Sequence, residues 1–333
     1  MRAKAAAAAT ATVAGCCLYC ANERLVEQRA NRLDRLRDCA AHTHLQRTAA
    51  DTAAASLSTG PIVVSGLLEL WPAFSDGSGR GWTFSGLRAR IGQETVDVGS
   101  ASGGVPFYAV AHNATKPRAG GHDLAMYIFD SDFSGAKASL LDDVAPLPAL
   151  AGNDVFRGKT SADHDDRPLW RWLLAGPPGS GSLIHQDPWH YSSWNASVVG
   201  VKRWVLFPPD VPQAALHPPR EDFIGRCFAV FGVHLPRSAA MFMDEVLPQL
   251  RGAGLGQIEL LQSPGEVVAF PAGWWHAVVN LSATIAVTES FVRPCDLEQS
   301  LLKLRAKGLG DFADIVEAEQ QGQISRGDSG PGA

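Results

Sequence analysis

From residue 169 onward the chain repeats one pattern, short β-prone runs separated by Gly and Pro turns. The runs are 169–174, 183–187, 193–199, 202–207, 257–262, 266–270, 274–281 and 284–291. Many short strands with such turns predict a jelly roll, two facing sheets closed around a cavity. Alternation within each run predicts which side chains share a face, because residues i and i+2 leave a strand on the same side. Lys202, Trp204 and Leu206 share one face. In the last run Thr284, Ala286, Thr288 and Ser290 share a small, partly polar face, opposite Ile285, Val287 and Phe291.

Two of these runs carry the residues that bear chemistry. His185-Gln186-Asp187 ends one, and His276 lies in another. In extended chain His185 and Asp187 point to one side, and a closed sheet can bring His276 opposite. Two imidazoles and one carboxylate on one face of a metal, with other positions open, form the ligand set of non-haem Fe(II) oxygenases. Standing alone, an H-x-D pattern reads equally well as a surface turn capped by its Asp. Lys202, sharing a face with Trp and Leu, needs an anion or an escape to water. Asn195 fits a satisfied core amide as well as a site residue. Ser182 has the opposite parity to His185.

The wording around these residues is specific. Gly176-Pro177-Pro178-Gly179-Ser180-Gly181-Ser182 leads into Leu183-Ile184-His185-Gln186-Asp187-Pro188. Then follow Ser193-Trp194-Asn195-Ala196, Gly200-Val201-Lys202-Arg203-Trp204-Val205-Leu206-Phe207-Pro208, and Pro264-Gly265-Glu266 through Trp274-Trp275-His276 to Asn280-Leu281. This order resembles the Jumonji C (JmjC) family of 2-oxoglutarate-dependent oxygenases, closest to its branch of bifunctional arginine demethylases and lysyl hydroxylases. The resemblance is close over 168–292, looser over 60–135, and absent at both termini. It implies a mainly β protein with flanking helices, built on a double-stranded β-helix of the cupin or jelly-roll type. It implies that His185, Asp187 and His276 hold Fe(II). Lys202 would pair with the far carboxylate of 2-oxoglutarate, helped by Thr288, Ser182 and Tyr127, with Asn195 beside the near carboxylate or the metal. O2 would be the second cosubstrate. The substrate would be a protein side chain, Lys or Arg, hydroxylated or demethylated by hydroxylation. The residues alone leave two rivals: a metal cupin using zinc or manganese for hydrolysis or isomerisation, and a non-catalytic interaction module.

Composition narrows the setting. The 333 residues are 46% hydrophobic and 19% charged, enough for one large core. A formal charge of -5 argues against a broad nucleic-acid surface. Cys16, Cys17 and Cys20 crowd one patch without zinc-finger spacing and read as reduced bystanders. Arg2 and Lys4 precede an uncharged run, 5–21, that fits a secretory segment, a transit peptide or an alanine leader. Alanine is too weakly apolar for a stable membrane span. Location is therefore expected in nucleus or cytoplasm, with targeting by residues 1–21 as the alternative. Oligomeric state is not legible.

The expected organisation is a variable leader over 1–58, which includes a charged helix over 23–41, then a catalytic domain over 59–294. An insertion, 208–256, is expected on the barrel rim, with a helix near 239–250. Helices follow to residue 321, and 322–333 reads as a disordered tail. His164, in the polar loop 157–166, reads as solvated. Sequons stand at Asn113, Asn195 and Asn280, and the one at Asn195 falls inside the expected site. No P-loop ending and no G-x-S-x-G elbow is present.

Overall fold

The strand-prone runs pair into two antiparallel sheets in the computed structural model, which describes residues 47–48, 53–74, 81–98, 105–107, 111, 127–158, 167–216 and 239–327. The leader cysteines, the 23–41 helix, Asn113 and His164 lie outside those residues. The strands are β1 (Arg47–Thr48), β2 (Ile62–Val64), β3 (Thr95–Val96), β4 (Val105–Pro106), β5 (Ile128–Asp130), β6 (Arg171–Gly176) and β7 (Gly181–His185). They continue with β8 (Ser192–Val199), β9 (Lys202–Phe207), β10 (Ile258–Gln262), β11 (Val267–Phe270), β12 (Trp275–Asn280) and β13 (Thr284–Phe291). The larger sheet runs β1-β2-β11-β8-β13-β6-β5 and the smaller β10-β9-β12-β7. From β6 to β9, and again from β11 to β13, the chain passes from one sheet to the other at each step. That is the double-stranded β-helix expected from the sequence.

Both faces of each sheet are covered, and period-two alternation sorts the side chains among them. Trp204, Leu206, Leu260 and Val278 of the smaller sheet meet Val63, Val268 and Phe270 of the larger one in the interior. At the other side of this interior lie Trp172, Leu174, Ala286 and Tyr127. The outer face of the larger sheet, including Trp194, Ala196, Ile285, Val287 and Phe291, packs on the preceding segments. Among these is helix α1 (Phe84–Ile91), started by Thr83, whose hydroxyl caps the Gly86 amide.

The insertion does something different from the rim position expected of it. Its described parts, with helical turns over Ala239–Met241, Phe242–Val246 and Leu247–Leu250, lie on the outer face of the smaller sheet. Val211, Leu216, Phe242, Met243, Leu247 and Leu250 cover Ile184, Val205, Phe207, Trp275, Ala277 and Val279 there. The physical reason is that an apolar outer face left open to water would forgo roughly 25 cal/mol for each Å². At the C-terminus, α2 (Leu297–Ala306) and α3 (Gly310–Gly327) pack as a pair. Helix α3 continues past residue 321 into the stretch read as a tail. No helix among the described residues is long and apolar enough to cross a membrane.

One irregularity matters for the site. His276 pairs with His185, but Val278 pairs with Ser182, so β7 has one residue more than β12 over this interval. Such a bulge reverses the parity of everything beyond it. Ser182 therefore lies opposite Val278, an interior residue, and returns to the side of His185. The parity argument from sequence is corrected by this extra residue. Just beyond, Gly181 lies so close to β12 that a Cβ would stand 1.9 Å from the Val278 carbonyl oxygen. Gly181→Ala must push these strands apart. It is expected to lose about 1–3 kcal/mol, as forced shifts in packed cores do, seen as a lower denaturant midpoint. An unchanged midpoint would contradict this account of the β7–β12 pairing.

A candidate metal centre and the cavity beside it

The register that pairs β7 with β12 puts the two histidines side by side at one end of the interior. Their ring centroids are 4.1 Å apart. Asp187, just past the end of β7, turns one carboxylate oxygen toward both rings. Its Oδ1 lies 3.6 Å from His185 Nε2 and 3.6 Å from His276 Nε2. One ligand atom from each residue falls within 4.8 Å of the others, a spacing that can hold a metal ion. The fit extends to the protons. Each Nδ1 faces a backbone carbonyl, Leu183 at 2.6 Å for His185 and Trp274 at 3.2 Å for His276. An N–H donated there leaves the Nε2 lone pair aimed at the common point. Burial, reinforced by the neighbouring His185, lowers the pKa of His276 to about 4, so this imidazole is neutral at pH 7. The carboxylate supplies the negative charge.

Asp187 is itself oriented. Ser193 Oγ donates a short hydrogen bond to Asp187 Oδ2, and Ser193 and Ser290 hydroxyls lie 2.9 Å apart. Sequence reading missed the role of Ser193 and Ser290. Their inward parity on β8 and β13 was the available signal. Past Pro188 the chain turns through Trp189 and His190, both with positive φ, 53° and 59°. A left-handed conformation costs a non-glycine residue about 1–2 kcal/mol. The ligands differ in access: the His185 side chain is 38% exposed, Asp187 16% and His276 6%.

From this end the interior face of the smaller sheet runs along the strands to Lys202. His276 stands four residues before Asn280 on β12, and Asn280 pairs with Lys202. That is roughly 13 Å of strand at about 3.3 Å per residue. The Lys202 side chain is wholly buried, and its Nζ has no hydrogen-bond partner among the described residues. The Nζ stands over the Tyr127 ring, 5.9 Å from its centroid. Burial lowers the Lys202 pKa to about 7 and raises that of the Tyr127 phenol. Asn195 Oδ1, Asn280 Oδ1 and Thr284 Oγ1 are also buried without a partner among the described residues. Native interiors seldom leave polar groups unpaired, so several in one lining mark a place built for a polar guest.

The remaining expected residues fall into this lining with different emphasis. Asn195 pairs with Thr288 across β8 and β13 and with Val268 across β11, which puts it on the interior face. Thr288 donates its hydroxyl to the Trp194 carbonyl at 2.7 Å, which leaves it free only as an acceptor. Thr284, on the small, partly polar face read from sequence, joins the lining, as does Asn280, for which no role was read. Asn195 and Asn280 are buried, which removes both as glycan acceptors. Of the two adjacent tryptophans, Trp275 packs outward and donates to the Val211 carbonyl, while Trp274 packs against the interior cluster.

The JmjC domain family, described as a hydroxylase domain, matches residues 172–291. The arginine-specific demethylase JMJ22 of Arabidopsis thaliana is 30% identical over 238 residues, 71% of this chain and 43% of that protein. The bifunctional arginine demethylase and lysyl-hydroxylase psr-1 of Caenorhabditis elegans is 30% identical over 249 residues, 72% of this chain and 56% of that one. The human 2-oxoglutarate and iron-dependent oxygenase JMJD4 is 34% identical over 161 residues, 47% of this chain and 34% of its own. The chain thus spans about half the length, or less, of these relatives.

Burial of Lys202 gives the fold a pH signature. Between its folded pKa of about 7 and its ordinary value of 10.5, the unfolded chain holds a proton that the native chain lacks. Stability from this group therefore rises with pH through that window and is lowest below pH 7. Lys202→Met removes the cost. Without added ligand it is expected to be more stable than wild type at pH 6, with the gap narrowing by pH 9. Denaturant unfolding at the two pH values measures this, and a gap independent of pH would refute it.

Proposed function

From the premise that the chain belongs to the JmjC family, we propose that it is an Fe(II)- and 2-oxoglutarate-dependent oxygenase acting on a protein side chain. The relatives named as arginine demethylases and a lysyl-hydroxylase support Arg or Lys as the side chain attacked. The observation that carries the proposal is the unpartnered, wholly buried side-chain nitrogen of Lys202 on the same interior face of the smaller sheet as His185 and His276. A metal-binding cupin of another class has no use for that lysine.

His185, Asp187 and His276 would hold Fe(II) through one face, in keeping with two imidazole nitrogens and one carboxylate oxygen. Bound together, the metal and 2-oxoglutarate supply the oxidising power: O2 is consumed, succinate and CO2 leave, and one oxygen atom enters the substrate. All else falls to the chain. Lys202 would pair with the far carboxylate, where a dry site gives an anion no other cation among the lining residues named. Tyr127, Ser182 and Thr288 would complete that end, and Asn195 would serve the metal side. Thr284 and Asn280 add polar atoms at the lysine end. Trp204, Leu206, Val278 and Phe270 exclude water from the interior. The hydroxylated product is an alcohol, or an N-hydroxymethyl group that releases formaldehyde where an N-methyl carbon is attacked.

Two substitutions separate the components. Asp187→Ala removes the anionic ligand and is expected to abolish metal uptake while the chain stays folded, as read by metal analysis and circular dichroism. Lys202→Ala is expected to keep the metal but bind 2-oxoglutarate about 30-fold more weakly or worse, since losing one partner of a buried charge pair costs roughly 2–5 kcal/mol. Lys202→Arg should also fail, because the planar guanidinium has another shape and reach. Titration of 2-oxoglutarate into Mn(II)-loaded wild type and variants decides the matter. Equal affinities would mean that the lysine has no part in cosubstrate binding and that the chain is a metal cupin of another kind.

A further inference from the structure

Among the described residues, Trp189 and His190 are the only non-glycine positions with positive φ, and they are consecutive. They follow Asp187-Pro188 directly. A bulky residue keeps such a conformation only when its surroundings impose it, so the groups that impose it can be sought in the structure.

Most of them come from the C-terminal helices. Ser300, buried on α2, donates its hydroxyl to the His190 carbonyl at 3.2 Å. Asp296, in the turn that leads into α2, lies 3.9 Å from His190 Nε2 and accepts from Arg293 Nε at 2.6 Å. Trp189 packs on the cluster that Leu301 and Leu304 of α2 form with Phe312, Ala313 and Val316 of α3. Its ring centroid is 5.7 Å from that of Tyr191, which belongs to the same cluster. Within the turn, the Tyr191 amide donates to the Pro188 carbonyl. Pro188 transmits this order backward. Its ring confines the preceding residue to extended geometry, and Asp187 has φ -61° and ψ 142°. Asp187 is thus held from two sides, by Ser193 on its carboxylate and by the helix-supported turn on its backbone.

We propose that α2 and α3 position Asp187 for the metal, acting through the left-handed Trp189–His190 turn, with Ser300 and Asp296 as positioning residues. The proposal rests on reading His185, Asp187 and His276 as the ligands. It treats the C-terminal helices as part of the metal centre although neither of them supplies a ligand.

The test is Co(II) binding to the full chain, followed by calorimetry and by the d–d absorption of the bound ion. The variants are His190→Val, which cannot readily hold a positive φ, His190→Gly, which can, and Ser300→Ala, which removes one anchor with little change of volume. His190→Val is expected to weaken Co(II) by about 10-fold or more, the range seen when groups supporting metal ligands are lost, and to shift the absorption bands. His190→Gly should stay within about threefold of wild type, because glycine accepts the conformation. Ser300→Ala should weaken Co(II) and shift the bands in the same direction as valine, with near-ultraviolet circular dichroism unchanged. Wild-type affinity and spectrum in both His190→Val and Ser300→Ala overturn the proposal. So does a folded His190→Gly as weak as His190→Val. If His190→Val does not fold, Ser300→Ala decides alone. A wild type that takes up no Co(II) defeats the metal reading itself, and the proposal with it.

Discussion

A strand covered on both faces must sort its side chains strictly, since a slip of one residue exchanges every inward group for an outward one. In this protein the outward groups of both sheets are mostly apolar and covered, the larger by α1 and its neighbours, the smaller by residues within 208–216 and 239–250. That cover fixes the register, and the register in turn fixes what faces the interior. His276 meets His185, and Lys202 meets Asn280, because Ile184, Val205, Ala277 and Val279 cannot leave their apolar contacts on the opposite face. The metal site and the cavity thus depend on packing that none of their own residues provides.

The same logic explains why a stable barrel carries so many unmet polar groups inside it. Each buried donor or acceptor without a partner works against folding, and an unpaired lysine more so. Lys202, Asn195, Asn280 and Thr284 form a lining whose cost is carried by apolar packing elsewhere. Other large buried polar residues are matched: Lys137 with Asp130 at 2.7 Å, and Gln262 with Trp204 Nε1 and the Asn195 and Glu266 carbonyls.

Much of this was legible in sequence. The strand runs, the face shared by Lys202, Trp204 and Leu206, and that shared by Thr284, Ala286, Thr288 and Ser290 follow from period-two alternation, which is local, whereas the double-stranded β-helix was implied by the family resemblance. The side chosen by Ser182 was not legible, because it depends on one extra residue in β7 relative to a strand some 90 positions away in sequence. The placement of the insertion escaped for a similar reason: its apolar residues show that it covers something, but not which face. Ser193 was hidden by its ordinariness, since a serine on a strand acquires meaning only once Asp187 is seen beside it. The Asp187–Tyr191 turn shows the limit most clearly. Pro188 signals a turn, yet nothing local predicts left-handed Trp189 and His190, which are held by helices more than 100 residues further along.

Stability and occupancy are therefore linked in this protein. A guest that pairs with Lys202 and satisfies the orphaned amide and hydroxyl oxygens would remove costs that the fold bears, and anything that binds only the native state stabilises it by mass action. The linkage also has a direction in pH. An anion beside Lys202 favours the charged ammonium, so it raises a pKa that burial alone depresses to about 7. Above that pH, binding of a dicarboxylate takes up a proton, and its affinity declines as pH climbs toward the ordinary lysine value. The buried lysine thus makes the site selective for its guest's charge, at the expense of the fold's own stability.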